Sequence, residues 1–302
     1  MNPTQAPDLH ASDGPADLVI QGAQLLPQAI AAFCRQFPQA PVQRRLASVR
    51  LLAVGPAATA AHAVADLAAQ WRCDAALLAR PLVLSHFRVL ALDMDSTLIR
   101  NECIDELAEL AGVGPEVAAI TEAAMRGQIA DYAQSLRRRV ALLAGVDASL
   151  LQSVAEQRVQ ITPGAERLLK AAREAGLRTL LVTGGFGFFA RILQRQLGID
   201  AVQANEVQVV DGHLTGVVLG PADQPERLVD AQGKASALRE LCAQLGCGPA
   251  NAIAIGDGAN DLPMLELAGV SVAYRAKPQV QQRAQYALNY SGLDGVLELF
   301  SG

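Results

Sequence analysis

The sequence has little that would suit it to nucleic acid, to a membrane or to an oxidising compartment. No Lys/Arg cluster is large enough to line a nucleic-acid groove or bind an anionic lipid surface, and the net charge is −5. No uninterrupted apolar run reaches membrane-spanning length. The N-terminal stretch MNPTQAPDLHASDGPAD lacks the basic-then-apolar pattern of a secretory leader. Cys34, Cys73, Cys103, Cys242 and Cys247 are odd in number and have no C-x-x-C spacing, so reduced core thiols are expected, not disulfides or a zinc site. His10, His62, His86 and His213 are scattered, which argues against a histidine-based metal centre or nucleophile system. What is left is an acidic protein that handles small molecules, with neither nucleic acid nor membrane as partner. The cytoplasm is the expected compartment, and nothing chooses between a monomer and a homodimer.

What is present is apolar and periodic. Of the 302 residues 51% are hydrophobic and 18% charged, enough for a large core and more than one folding unit. Residues 1–16 read as a flexible tail. Residues 17–85 read as a small α/β N-terminal domain, with strands at Leu18–Gln21, Ser48–Val54 and Ala75–Leu78 and alanine-rich helices at Leu25–Phe37 and Ala58–Trp71. Over 86–302 four short apolar runs each end in a polar or glycine cluster: Val89–Leu92, Thr179–Val182, Ala252–Ile255 and Val270–Ala273. Such runs, separated by helices, predict a Rossmann-like doubly wound parallel sheet covered on both faces, with ligands at the carboxyl ends of its strands. Two insertions interrupt it. One is a helical cap at about 101–158, a candidate lid; the other is a β-hairpin flap, Glu206–Val218, turning on Asp211-Gly212.

Four clusters at those strand ends carry chemistry. In Asp93-Met94-Asp95-Ser96-Thr97 two carboxylates lie two residues apart on an extended segment, so they can converge. Crowded carboxylates need a cation or a proton, and a magnesium ion among Asp93, Asp95 and a later acid would supply the first. One carboxylate could then attack phosphorus while the other, protonated, donates to the leaving oxygen. Thr183-Gly184-Gly185 offers a hydroxyl, backbone N–H groups and a helix start, the parts of a phosphate cradle. Lys234 opens a helix and could neutralise a phosphate as a point charge. Gly256-Asp257-Gly258-Ala259-Asn260-Asp261 suits a cation-holding loop. Taken singly, each has an ordinary explanation: a strand-ending turn, glycine punctuation, a solvated lysine, an Asx-rich helix cap. Together and in this order they point to one site.

The ordered set D-M-D-S-T, V-T-G-G, a solitary lysine and G-D-G-A-N-D resembles the haloacid-dehalogenase-like superfamily of phosphatases over roughly residues 86–302. Asp93–Glu102, Met125–Gly127, Ser135–Val140 and Gly184–Phe186 narrow the resemblance to members that hydrolyse O-phosphoserine, the last step of serine biosynthesis. It implies that Asp93 is the nucleophile that becomes phosphorylated and Asp95 the acid and then the base. It implies Mg2+ held by Asp93, the backbone carbonyl of Asp95 and Asp257, with Asp261 in support. Thr183, Gly184 and Lys234 would hold the phosphoryl oxygens, and Asn260 would orient the Lys234 side. Glu102 would receive the substrate ammonium and Arg139 its carboxylate, with Arg137 and Arg138 as alternatives, while Met125 and Tyr132 would shape the pocket. Arg suits a carboxylate and Glu an ammonium, and a closing lid that carries both would exclude water. Two departures stand out. Thr183 occupies a position where these members more often have serine, and Gln128–Tyr132 is one residue longer than their pattern. The N-terminal domain resembles small, amino-acid-binding, ACT-like regulatory domains, with a purely structural role as the alternative.

Three rivals can be weighed. A related phosphatase or phosphotransferase acting on another small phosphorylated metabolite shares every motif. A dehalogenase has no use for the acid at Asp95. A phospho-acceptor signalling module lacks a second carboxylate two residues after the acceptor and needs no substrate lid.

Overall fold

The computed structural model describes residues 14–79, 81–125, 128–129 and 131–301, with Met125 described by its backbone alone. The expected tail falls mostly outside them. Pro15 and Ala16 are already paired, with Pro56 and Gly55, so ordered pairing starts just ahead of Asp17.

The N-terminal region runs β1 (Asp17–Gln21), α1 (Pro27–Gln36), β2 (Val42–Arg44), β3 (Ser48–Leu51), α2 (Ala57–Trp71), β4 (Asp74–Leu78). Its sheet order is β2-β3-β1-β4 with every pair antiparallel, the split βαβ arrangement. Leu18, Ile20, Phe33 and Leu51 form its core. β2 was not expected from the sequence, because all three of its residues are exposed and no apolar alternation marks them.

The larger sheet begins with β5 (Val89–Leu92). Four helices follow, α3 (Cys103–Leu110), α4 (Gly114–Met125), α5 (Tyr132–Ala141) and α6 (Ser149–Gln157), and then α7 (Ala165–Glu174). The chain continues through β6 (Arg178–Phe186), α8 (Gly187–Leu197), β7 (Ala201–Val210), β8 (His213–Leu219), α9 (Ala231–Gln244), β9 (Ala252–Gly256), α10 (Leu262–Leu267), β10 (Val270–Tyr274) and α11 (Pro278–Gln281) to β11 (Tyr286–Leu288). The order is β11-β10-β9-β5-β6-β7-β8, parallel except for β8. Read from β7 to β11 this is the 3-2-1-4-5-6 order of a doubly wound sheet, and the strand order reverses between β5 and β9.

Both faces of β5 are buried. Leu90 and Leu92 pack with Leu168 and Phe189 on one side, while Val89 and Ala91 pack with Leu238 and Met264 on the other. The side-chain alternation of a strand sends successive residues to opposite layers, so a continuous apolar run is what this position requires. Truncating one such leucine to alanine costs about 2–5 kcal/mol.

The hairpin is not a free-standing ribbon. Its first half is the extension of β7, whose start pairs in parallel with β6. Asp211 and Gly212 turn with positive φ (47° and 77°), as a two-residue hairpin loop demands. The far end joins the helical insertion, where the Gly145 N–H donates to the Leu214 carbonyl and the Leu214 N–H to that of Val146.

The N-terminal region docks on the C-terminal segment through polar contacts. The buried Asp74 carboxylate accepts from the N–H groups of Asn289, Tyr290 and Ser291 (2.6–3.2 Å). Gln21 Nε2 donates to the Gly295 carbonyl and Ser48 Oγ to Glu298.

Candidate active site

After β5 the chain makes one wide turn instead of entering a regular helix. The Leu98 and Ile99 N–H groups reach back five residues, to the carbonyls of Asp93 and Met94. Ser96 adopts a left-handed backbone (φ 56°), which is costly for a residue with a Cβ. Its N–H donates to the Asn101 carbonyl and its hydroxyl to Glu102 Oε1 (2.7 Å). The turn sends the Asp93 and Asp95 side chains along separate paths.

Asp93, at the β5 end, meets the acids of the β9 loop. Ligand oxygens of Asp93, Asp257 and Asp261 lie within 4.8 Å of one another. The fully buried Lys234 ammonium stands 2.6 Å from both Asp93 Oδ1 and Asp261 Oδ1. Burial works against that charge, but Asp261 and Asp93 outweigh it and hold the lysine protonated beyond its usual range. Burial and then Asp261 push the Asp93 carboxyl well above the usual range, and Lys234 only partly opposes them. Asp257 rises to about 6 for the same two reasons, countered by a hydrogen bond from Thr97 Oγ1 to its Oδ1 (3.0 Å). Three crowded acids with one lysine between two of them form a donor set that suits a hard divalent cation with oxygen ligands. Asp261 has both oxygens engaged, Oδ1 by Lys234 and Oδ2 by the N–H groups of Asp257 and Gly258.

Asp95 has its own set of partners. The Cys103 N–H donates to its Oδ1 (2.9 Å), and Thr183 Oγ1 lies 3.4 Å from its Oδ2. Burial raises its pKa above the ordinary carboxyl value despite these donors. Its carboxylate therefore stands apart from the three-acid cluster.

Thr183, Gly184 and Gly185 end β6 beside it. The Gly185 N–H donates to Thr183 Oγ1 (2.8 Å). A Cβ at Gly185 would stand 2.7 Å from Asp95 Oδ2, and one at Gly184 would collide with the Tyr132 hydroxyl. Both positions require glycine because side chains close over the turn.

Tyr132 opens α5, whose N-cap Asp131 accepts from the Ala133 N–H. Burial raises its phenol to about 12. Glu102, the N-cap position of α3, is raised to about 8, first by burial and then by the Asp95 charge. Arg139, on the last turn of α5, has a buried Nε with no hydrogen-bond partner among the described residues. Arg137 and Arg138 are exposed, so the geometry separates them from Arg139. Met125 lies outside the described side chains. Asn260 makes no hydrogen bond to Lys234 among the described residues; Asp261 takes that place. Thr97, Ser96 and Thr162 were given no role from the sequence. Thr162 Oγ1 donates to the Thr97 carbonyl (2.7 Å), and so ties α7 to the turn.

The family model for haloacid dehalogenase-like hydrolase matches residues 90–266. A phosphoserine phosphatase from Polaromonas sp. strain JS666 is 53% identical over 219 residues, 72% of this chain and 92% of that protein. The structure of a haloacid dehalogenase (HAD) family hydrolase from Salmonella enterica serovar Typhi superposes with a TM-score of 0.82 at 28% identity, over 95% of this chain and 98% of that one. A probable phosphoserine phosphatase from Vibrio cholerae, in unliganded form, gives 0.78 at 34% identity, over 98% and 89%.

Proposed function

The chain belongs to the haloacid dehalogenase-like hydrolase family, and we propose that it hydrolyses O-phosphoserine to serine and phosphate, closing serine biosynthesis. What supports this most is the buried Lys234 ammonium, held 2.6 Å from Asp93 and from Asp261, together with Glu102 and an Arg139 whose buried Nε has no hydrogen-bond partner among the described residues. A phosphate fits the floor, and the two ends of an amino acid fit the roof.

Asp93 attacks phosphorus, forming an aspartyl phosphate as the bond to the serine oxygen breaks. Asp95, whose pKa burial raises, gives a proton to that departing oxygen. With the Cys103 N–H fixing Oδ1, its Oδ2 is the oxygen turned to the reacting groups. Water then attacks the phosphorus and loses a proton to Asp95, and the Asp93 carboxylate leaves. Thr183, Gly184 and Lys234 hold the phosphoryl oxygens, with Asn260 at the rim. Asp93, the Asp95 carbonyl and Asp257 would hold Mg2+, with Asp261 behind them. Bound there, the ion supplies charge that relieves the crowded acids and draws electrons from the phosphoryl group.

Glu102 receives the ammonium and Arg139 the carboxylate, while Met125 and Tyr132 bound the pocket. We also propose the division into a 17–85 domain and an 86–302 phosphatase domain capped at about 101–158. The protein is read as a cytoplasmic monomer or homodimer; among the described residues no helix is long and apolar enough to cross a membrane.

The test is phosphate release from phosphoserine, phosphothreonine, phosphoglycolate and sugar phosphates, with and without Mg2+. Phosphoserine should lead by about tenfold or more, and a chelator should abolish the activity. Equal turnover of a sugar phosphate, or full activity in chelator, would overturn the reading.

A further inference from the structure

We propose that Asn205 is a positioning residue that sets the distance between the two phosphate-gripping elements, the Thr183–Gly185 turn and the helix carrying Lys234. The inference deepens the reading of the cleft as a phosphate site and rests on it.

Asn205 is fully buried in β7, in register with Phe186. The pairing of β6 with β7 is irregular between Val182 and Phe186, where the cradle lies. Asn205 supplies what the ladder does not. Its Nδ2 donates to the Gly184 carbonyl (2.9 Å) and to the Val229 carbonyl (3.3 Å), and its Oδ1 accepts from the Val229 N–H (2.7 Å). A single amide group thus clamps two segments distant in sequence.

Each arm of the clamp leads to the phosphate. The Gly184 carbonyl and the Gly185 N–H belong to one peptide unit. Asn205 holds one end of it, and Thr183 Oγ1 accepts from the other (2.8 Å). With one lone pair engaged by Gly185, the Thr183 hydroxyl can point its proton toward Asp95 Oδ2, 3.4 Å away. On the second arm, Val229 precedes Asp230, which caps α9 by accepting from the Gly233 N–H (2.8 Å) and also takes the Lys234 N–H at its carbonyl. Lys234 therefore projects from a helix start whose entry strand is pinned by Asn205. Among side chains of this length only an amide both donates and accepts in this way. Aspartate keeps the bond from Val229 but loses both donors and sets a negative charge against two carbonyls. Alanine leaves buried backbone groups unpaired.

The experiment uses the full chain with Asn205→Asp, Asn205→Ala and Asn205→Ser. The readouts are inhibition by inorganic phosphate, kcat and KM for phosphoserine and an aryl phosphate, the Mg2+ concentration for half activity, and the melting temperature. Leu193→Ala, in α8 and buried away from the cleft, serves as the stability control. Asn205→Asp and Asn205→Ala should weaken inorganic phosphate binding by about tenfold or more, equally for both substrates, because the phosphate end is common to them. Half-activating Mg2+ should stay within about twofold, and Leu193→Ala should lose stability without losing phosphate affinity. Should those two variants fail to fold, Asn205→Ser, which keeps a hydroxyl, must still show the phosphate defect. A folded Asn205 variant with unchanged phosphate inhibition overturns the proposal, as does a defect that Leu193→Ala reproduces at matched stability. If the unaltered protein does not bind inorganic phosphate, the underlying reading falls instead.

Discussion

The carboxyl ends of the core strands and the helical insertion above them hold their charges in opposite ways. Below, Lys234 is bonded to Asp93 and to Asp261 at 2.6 Å each, and Asp257 is bonded to Thr97. Above, among the described residues, the Arg139 Nε has no hydrogen-bond partner, and the Glu102 carboxyl has only the Ser96 hydroxyl and is pushed up to about 8. A self-paired floor can be built once and used for any phosphate ester. A sparsely paired roof is costly until a ligand brings the complementary charges, so on the proposed function discrimination belongs there.

Substitutions can break that contrast. The largest effect belongs to Asp93→Asn, which should remove phosphate release from phosphoserine and from an aryl phosphate alike, by about 10⁴-fold or more. Asp95→Asn should lower kcat by about 10²–10⁴ for phosphoserine, measured at saturating substrate. It should cost less for an aryl phosphate whose leaving group needs no proton. Arg139→Ala should reduce kcat/KM for phosphoserine by about 10²-fold, chiefly through KM, and leave the aryl phosphate within about threefold. Arg137→Ala and Arg138→Ala, both at exposed positions, should change neither substrate by more than about twofold. Equal losses on both substrates in Arg139→Ala would place that residue with the floor.

The smallest effect is in pH. Glu102 must be ionised to receive an ammonium, and its free carboxyl titrates at about 8. A pKa raised in the folded state means the charged form appears only as pH climbs through that value. The ratio of kcat/KM for phosphoserine to that for the aryl phosphate should therefore rise by about tenfold between about pH 6.5 and 8.5. In Glu102→Gln the ratio should be low and flat.

The floor was legible in the sequence and the roof only in part. Apolar runs such as Val89–Leu92 announce buried parallel strands, and the polar cluster after each one marks the sheet end where ligands collect. Asp261 was expected in support of the cation, but its bond to Lys234 was not readable, because a loop's turn geometry decides which of Asp257, Asn260 and Asp261 points inward. For the same reason Lys234 found Asp261 and not Asn260. Of three consecutive arginines the family resemblance already favoured Arg139, and on the helix, where neighbours are 100° apart around the axis, it is the one with a buried Nε while Arg137 and Arg138 are exposed. β2 and β11 escaped notice because each has only three residues and the first is fully exposed. The clamp at Asn205 left no local signature, for it joins segments brought together only by the sheet.

The most direct test of a nucleophilic Asp93 is chemical trapping. The protein, mixed with phosphoserine labelled in its phosphate and Mg2+, is quenched in acid within one turnover and digested, and the labelled peptide is mapped. Label on Asp93, acid-stable, base-labile and absent from Asp93→Asn, is the expected result. Label on another residue, or phosphate released at full rate with no labelled protein at any quench time, would contradict it.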